Sequence, residues 1–483
     1  MRRAVCTPLF MYYGGLFVTN NKKFWGQVLS LAVPIAIQNL LTSSFTLVDT
    51  LMVGQLGDIS LAAVGMSGQW SWFLNMVIFG ICSGASVFFA QYFGDKNHDG
   101  IVKTYGIALS SGLLVAVLFM LIGYTFPGGV ISIFNRNPDV LDAGIRYLKI
   151  AVFSYPAIML NMLACTVLRS TQRVKLPMYV AFVTTILNAF LDYGLIFGAF
   201  GLPALGIEGA AIATVISAWS GPVAIYVIMA FIKDDIFFAN VSDILGFSKD
   251  MFISFYKKAL PVIINESLWG LGTIMYNIIF SNLGYEYSAA ITILRTFENI
   301  ALAFFIGFIN AGCVMIGADI GAGSIKDAIR KSKIFIILIP AISLIIGFFI
   351  ILFRENLISI FNIGGKITEK TLSSAMGILL VYALELAARN IPYITIVGIF
   401  RSGGDTKTGV KYDLLCLWGI SLPLTFIAAF ILKIPFVWVF ACSYVFEDSL
   451  KCVLCIRHFL SKKWIKPVTE SGKKALSEYL KEA

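Results

Sequence analysis

Histidine is almost absent from this sequence: its 483 residues include two, His98 and His458, far apart along the chain. Metal centres built on imidazole need several converging ligands, so we expect no histidine-based metal site. The eight cysteines are scattered, mostly through apolar runs, and form no disulfide framework. Cys452 and Cys455 make a CxxC pair that no second pair accompanies, and we expect no metal or redox role for it.

The sequence signatures of several common chemistries are missing as well. The chain contains no HExxH, no GxSxG and no GxxxxGK[ST] segment, which argues against zinc hydrolases, serine hydrolases and ATP-driven machines. We therefore predict a protein that is not an enzyme and that holds no cofactor.

Apolar residues, by contrast, make up 58% of the chain and charged residues only 13%, with a mean hydropathy of +0.85. This composition is typical of a protein that crosses a bilayer many times. We predict an all-α fold with twelve transmembrane helices, because twelve apolar runs are long enough to span: 29–54, 61–92, 101–125, 139–167, 176–198, 207–231, 257–283, 288–320, 331–353, 371–400, 409–432 and 435–459.

The two halves of the chain repeat each other at an offset of 227 residues. By LRS at Leu168–Ser170 and FRS at Phe400–Ser402, the offset has grown to 232. Since each half holds six helices, both enter the membrane in the same direction, which gives a parallel repeat of two lobes, as in many secondary transporters. The matching positions include Pro34 and Pro261, Gly57 and Gly284, Gly80 and Gly307, Gly94 and Gly321, and the ISIFN segments at 131–135 and 358–362.

The predicted organisation has five parts, and the positive charges orient them. They are a lead-in (1–28), an N-lobe (29–231), a linker (232–256), a C-lobe (257–460) and a tail (461–483). With the N-terminus inside, 28 Lys and Arg residues fall on the cytoplasmic side and five on the other, so we predict that both termini are cytoplasmic. The excess of Lys and Arg on the cytoplasmic side then accounts for the net charge of +10, and no nucleic-acid partner is needed to explain it.

Two aspartates stand out in the apolar runs of the N-lobe. Asp49 lies in the first run, where a carboxylate costs about 2.5–3.5 kcal/mol on insertion scales. Thr184, Asn188 and Asp192 follow one another at four-residue spacing and line one helix face. Their oxygens suit a hard cation or a carboxyl group that is protonated at times. A polar contact between helices is the alternative; Thr214, on a small-residue face, also fits simple packing.

The C-lobe has its own buried charges, which we interpret first as ion pairs. Arg389 follows Glu385 by four residues, and Glu298 follows Arg295 by three, so each pair shares a helix face. Glu266 lies early in the helix that repeats the one carrying Asp49. A role in ion coupling is the second interpretation for Glu266 and Glu385.

Pro34 and Pro261 occupy equivalent places in the first helix of each lobe. Proline removes a backbone hydrogen bond, so both helices can bend there, either as moving hinges or as static kinks.

Several segments together resemble the multidrug and toxic compound extrusion (MATE) family, in its bacterial DinF-like and NorM-like members. They are VDTLMVGQLG, LNAFLDYGLIFG, GIEGAAIAT and the paired loops LRSTQRVKLPM and FRSGGDTKTGV, within a likeness over about residues 25–460. The resemblance implies a monomer in the bacterial cytoplasmic membrane that exports amphipathic organic cations in exchange for H⁺ or Na⁺.

The same resemblance assigns residues by position. Asp49, Asn188, Asp192 and Thr214 match the cation-binding cluster of the N-lobe, with Tyr155 as a further match and Asp49 with Asp192 as the place for Na⁺. Pro34 matches a proline at which the first helix bends, and Glu266 an acid of the seventh helix. Asn390 stands where NorM-like members have an aspartate, which makes a C-lobe ion site doubtful. A lipid-linked oligosaccharide flippase of the same superfamily is the alternative function, and it would favour a basic cavity and extra helices.

Overall fold

The computed structural model describes residues 21–133, 137–359, 361 and 368–482. All regular secondary structure in these ranges is helical, which confirms the predicted all-α fold. Residues 1–20 of the predicted lead-in, the ends of both ISIFN segments (134–135, 360 and 362) and the final residue lie outside the described ranges.

Twelve long helices make up most of the described chain. We number them α1 (Asn21–Gly54), α2 (Asp58–Gly94), α3 (His98–Thr125), α4 (Pro138–Ser170), α5 (Lys175–Phe197), α6 (Gly206–Phe231), α7 (Lys249–Ser281), α8 (Tyr285–Gly321), α9 (Ile325–Ser359), α10 (Glu369–Phe400), α11 (Lys407–Ile431) and α12 (Phe436–Leu460). Shorter helices lie at Pro127–Ser132, Val241–Leu245 and Glu470–Glu482.

Helices α1 and α7 begin earlier than the apolar pattern predicted. Residues 21–28, assigned to the lead-in, belong to α1, and residues 249–256, assigned to the linker, belong to α7. Polar residues such as Lys22 and Lys249 end an apolar run without ending a helix, because lysine has a good helix propensity. Among the described helices ten are long and apolar enough to cross a membrane, and α7 and α12 are not among them.

The two lobes, α1–α6 and α7–α12, pack against each other mainly through α1 with α8, α2 with α7, and α2 with α8. A Cβ added at Gly94 of α2 would lie 1.9 Å from the carbonyl oxygen of Ala318, and one at Gly321 of α8 would lie 1.8 Å from that of Gln91. The internal repeat relates these two contacts to each other, since Gly321 lies 227 positions after Gly94 and Ala318 lies 227 positions after Gln91. The backbones of α2 and α8 therefore cross in direct contact, which only glycine permits.

The repeat also relates a second pair of contacts, nearer the middle of α2 and α8. Gly80 of α2 packs against the backbone of Ile263 in α7, and its equivalent Gly307 of α8 packs against Ala32 and Ala36 in α1. All these contacts lie toward the face where α1 and α7 begin and α2 and α8 end, which we call the basic face. The described lobes are thus closely packed in the half of the bundle next to the basic face.

The loop between α10 and α11, also on the basic face, is organised by the buried side chain of Asp405. This carboxylate accepts hydrogen bonds from Thr408 (2.7 Å), and it lies 2.8 Å from the Nε2 atom of His458 and 2.9 Å from the Nζ atom of Lys466. Burial by itself would raise the pKa of Asp405, but these three partners outweigh it and hold the pKa at about 2. The FRSGGDTKTGV segment is therefore tied to α12 and to the residues that follow it.

Candidate functional site

The two N-lobe aspartates lie on α1 and α5 with their side chains turned into the protein. Asp192 is fully buried, and neither of its carboxylate oxygens has a hydrogen-bond partner. Atom Oδ1 of Asp49 is likewise buried without a partner. The two side chains are near enough for their charges to interact. Two neighbouring carboxylates without hydrogen bonds in an apolar surrounding are costly to keep ionised.

Asn188, one helical turn before Asp192, adds two more unsatisfied atoms. Its side chain is fully buried, and both its amide nitrogen and its amide oxygen lack a partner. Buried polar atoms are nearly always hydrogen-bonded in proteins. This concentration of orphaned oxygens is therefore chemically suited to accept a cation, a proton or an ordered water.

Hydroxyl groups on α5 and α6 donate within their own helices. The Thr214 hydroxyl on α6 donates to the carbonyl oxygen of Ala210 (2.9 Å) and that of Thr184 on α5 to Ala181 (3.1 Å). Donation to the helix backbone leaves the lone pairs of both oxygens available to a cation. Ser217, one turn after Thr214, is buried with an unpartnered hydroxyl.

Tyr147 on α4 belongs to the same cluster, and the sequence did not indicate it. Its buried phenol interacts electrostatically with Asp49 and Asp192 and lies close to the side chain of Thr214. Tyr155, eight residues further on, is bonded instead to Ser71 of α2, with 3.0 Å between the two hydroxyl oxygens. The eight-residue spacing of the two tyrosines was the available signal, because such a spacing places both near one helix face.

Neither Asp49 nor Asp192 forms a salt bridge within the described part of the chain, whereas Glu266 of the C-lobe does. Glu266 on α7 pairs with Arg401 at the end of α10. The same guanidinium donates to the hydroxyl of Ser83 on α2, at 3.1 Å, and so reaches the other lobe. Glu266 is thus part of a neutralised contact near the basic face.

The two ion pairs predicted from helical spacing in the C-lobe are wrong. Arg389 pairs with Glu298 of α8 at 2.6 Å, and not with Glu385 on its own helix. Arg295 donates to the side-chain oxygen of Asn277 on α7 at 2.5 Å, and not to Glu298. The carboxylate of Glu298 lies between packed helices, where a charge-assisted hydrogen bond is strong. The Tyr444 hydroxyl adds a second hydrogen bond to Glu298 at 3.2 Å.

Two further C-lobe residues, Glu385 and Asn390, differ in their hydrogen bonding. Atom Oε2 of Glu385 is buried without a hydrogen-bond partner. The amide of Asn390 donates to the hydroxyl of Ser343 on α9 (2.9 Å) and to the carbonyl oxygen of Leu386 (3.0 Å). Asn390 therefore joins α10 to α9, whereas Glu385 keeps an unsatisfied oxygen.

Lys451 of α12 is the centre of a largely buried ionic triad. Its ammonium lies 2.5 Å from Asp413 of α11 and 2.8 Å from Glu447. Lys451→Met would leave both acids uncompensated, and we expect the free energy of unfolding to fall by about 3–5 kcal/mol. Thermal unfolding in detergent measures this. The control is Lys103→Met, which removes a more exposed pair with Asp99 and should cost about 0–1 kcal/mol; equal effects of the two variants would contradict the prediction.

Pro34 and Pro261 lie inside α1 and α7 at the contact between the lobes. Pro34 is flanked by Ala32 and Ala36, which meet Gly307, and Pro261 by two residues that meet α2. Any bend at either proline would therefore alter the packing of the lobes directly.

Comparison with known proteins finds the same family in both lobes. The family model MatE matches residues 34–194 and 261–427, one segment in each lobe. The chain is 26% identical over 449 residues to the probable multidrug resistance protein NorM of Thermotoga maritima, covering 91% of this chain and 93% of the relative. It is also 26% identical over 444 residues to the probable multidrug resistance protein YoeA of Bacillus subtilis, covering 91% and 94%.

A solved structure described as the outward-facing conformation of a multidrug resistance MATE family transporter superimposes with a TM-score of 0.81. At 17% identity it covers 90% of this chain and 95% of that chain, and it supports the fold. The family match in both lobes and the ten apolar spanning helices lead to one conclusion: the chain is a multi-pass membrane protein and belongs to the MatE, or multidrug and toxic compound extrusion, family.

Proposed function

We propose that this protein is a secondary active transporter that exports amphipathic organic cations in exchange for H⁺ or Na⁺. The observation that carries the proposal concerns the pair of acids Asp49 and Asp192: both carboxylate oxygens of Asp192 and one of Asp49 are buried without hydrogen bonds. No salt bridge within the described residues compensates either charge, and the two side chains are near enough to interact. Relatives named as multidrug resistance proteins support the substrate class.

The pair can exchange one positive charge for another. Two bare carboxylates in this surrounding repel each other and pay the cost of desolvation, so a proton or a Na⁺ ion that enters relieves both. Oxygens of Asn188 and Thr214 would complete the coordination of Na⁺, which prefers such hard ligands. An organic cation held by the same negative charge is then bound less tightly and leaves.

The lobe contacts and the charge bias support an orientation in the membrane. We propose that the basic face is cytoplasmic, in the cytoplasmic membrane of a bacterium, as its surplus of Lys and Arg favours. Since the lobes are packed together on that face, the described conformation is closed to the cytoplasm. Separation of α2 from α7 and α8 would then open the site inward, and one chain is sufficient for the cycle.

Uptake of a fluorescent organic cation such as ethidium into everted vesicles tests the proposal, because the cytoplasmic face of such vesicles is outside. We expect uptake that stops when one of the two gradients, pH or Na⁺, is collapsed, and the effective treatment identifies the coupling ion. Transport that survives the collapse of both gradients would refute ion exchange. Absence of dye transport together with the flipping of a lipid-linked oligosaccharide in proteoliposomes would favour the flippase function instead.

A further inference from the structure

Residues 464–482, which follow α12, lie across the basic face and are anchored deep in it. Trp464 is fully buried, and its indole N–H donates to the carbonyl oxygen of Phe459 at 3.2 Å. The segment then ends in the amphipathic helix Glu470–Glu482. We call residues 464–482 the strap.

The strap is bonded to the C-lobe along its length. The backbone N–H of Lys466 donates to the carbonyl oxygen of Gly403 at 2.7 Å, and its ammonium lies 2.9 Å from Asp405. The hydroxyl of Thr469, itself buried, donates to the carbonyl oxygen of Gly321 at the end of α8, at 3.1 Å. This end of the strap is therefore fixed to the loop after α10 and to α8.

The same strap also reaches the N-lobe. The backbone N–H of Val468 donates to the side-chain oxygen of Gln91 on α2 at 2.7 Å. The hydroxyl of Ser471 is hydrogen-bonded to Asp95, just beyond the end of α2. A segment continuous with the C-lobe thus contacts the N-lobe within a few residues of the crossing between α2 and α8.

Gln91 is the point at which these contacts meet. Its side chain is fully buried, and while its oxygen accepts from the strap, its amide nitrogen donates to the carbonyl oxygen of Ser402 in the C-lobe at 2.8 Å. Its backbone oxygen is the atom against which Gly321 packs. One residue of α2 therefore touches the strap, the loop after α10 and the glycine crossing.

We propose that the strap holds the two lobes together on the basic face, and that Gln91 is the positioning residue through which it does so. The inference rests on the proposed alternation between an outward-open and an inward-open state. For α2 to move away from α8, the bonds from Gln91 to Val468 and Ser402 must break. The strap thereby sets the fraction of molecules that are open toward the basic face.

Point variants of the full chain test this. Thr469→Val removes the shorter of the two hydrogen bonds from the strap to the carbonyl oxygen of Gly321, and with it the oxygen that accepts from the backbone N–H of Gly472. Gln91→Leu removes the two bonds from α2. Ser477→Ala is the matched control, because its hydroxyl bonds to Lys474 within the strap helix. Loss of one or two buried hydrogen bonds should raise the open population by about 5-fold or more. Amide hydrogen exchange in lipid nanodiscs, without substrate or ion gradient, reports the opening.

We expect faster exchange at the ends of α2 and α8 in Thr469→Val and Gln91→Leu, wild-type rates in Ser477→Ala, and wild-type rates in α5 and α9 throughout. Because more molecules are open toward the basic face, the KM for a drug offered from that side should fall by about the same factor.

Wild-type exchange at α2 and α8 in both variants would overturn the proposal. Acceleration that extends equally to α5 and α9 would also overturn it, since that indicates general loss of stability. Exchange measurements are independent of transport, so they separate a failure of the strap from a failure of the proposed antiport.

Discussion

Asp192→Asn is expected to lower gradient-driven efflux by about 5- to 150-fold, because the coupling between two ligands of one protein typically changes affinity by such a factor. The amide keeps the shape of the side chain and cannot carry the charge that is exchanged. The same substitution removes an unpaired buried carboxylate, so the free energy of unfolding should stay equal or rise. Vesicle transport and thermal unfolding of one purified preparation measure the two effects together.

Loss of activity with retained or increased stability distinguishes a coupling residue from a structural one. Asp49→Asn should behave in the same way, and the double variant should be no worse than either single variant, since the two acids act as a pair. Asp139→Asn serves as the control, because Asp139 is an exposed residue in the first turn of α4. Full gradient-driven efflux by Asp192→Asn would reject the proposed exchange site.

Gly94→Val and Gly321→Val should each prevent the lobes from closing on the basic face. A Cβ at either position would lie under 2 Å from a backbone oxygen of the opposite helix, and backbone cannot move aside as a side chain can. We expect each variant to lose most efflux and to gain hydrogen exchange at the ends of α2 and α8. Because the repeat makes the two contacts equivalent, the two variants should have matching effects.

Gly65→Val in the same helix is the matched control, since a Cβ at Gly65 meets nothing within 4 Å. Its efflux and exchange should stay near those of the unaltered protein. Normal transport by Gly94→Val would show that the crossing of α2 and α8 is not obligatory for the cycle.

The architecture could be predicted from the sequence because its two signals, apolar runs and an internal repeat, do not depend on knowing any tertiary contact. Apolar runs indicate spanning helices, and the offset of 227 residues pairs Gly94 with Gly321 and Gly80 with Gly307. The offset did not reveal what these glycines touch. Their partners, Ala318 and Gln91 among them, come from the other lobe, and that packing is a tertiary property.

The candidate site was predictable to the extent that charge is conspicuous in an apolar run. Asp49 and Asp192 stand out for this reason, whereas Tyr147 does not, because a tyrosine is ordinary in a membrane helix. In the C-lobe, helical spacing suggested partners on the same helix for Arg389 and Arg295. The actual partners lie on neighbouring helices, where burial strengthens the interaction and sequence distance carries no information.

The pseudo-twofold symmetry of the backbone does not extend to its chemistry. At the position equivalent to Asp49 the C-lobe carries Tyr276, whose hydroxyl oxygen lies 2.7 Å from that of Ser421 and 3.2 Å from a carboxylate oxygen of Glu447. The repeat therefore has an acid with an unpaired oxygen in one lobe and, at the equivalent position, a hydrogen-bonded tyrosine in the other. Under the proposed exchange, a site confined to the N-lobe sets the upper bound on the number of ions that each cycle can exchange.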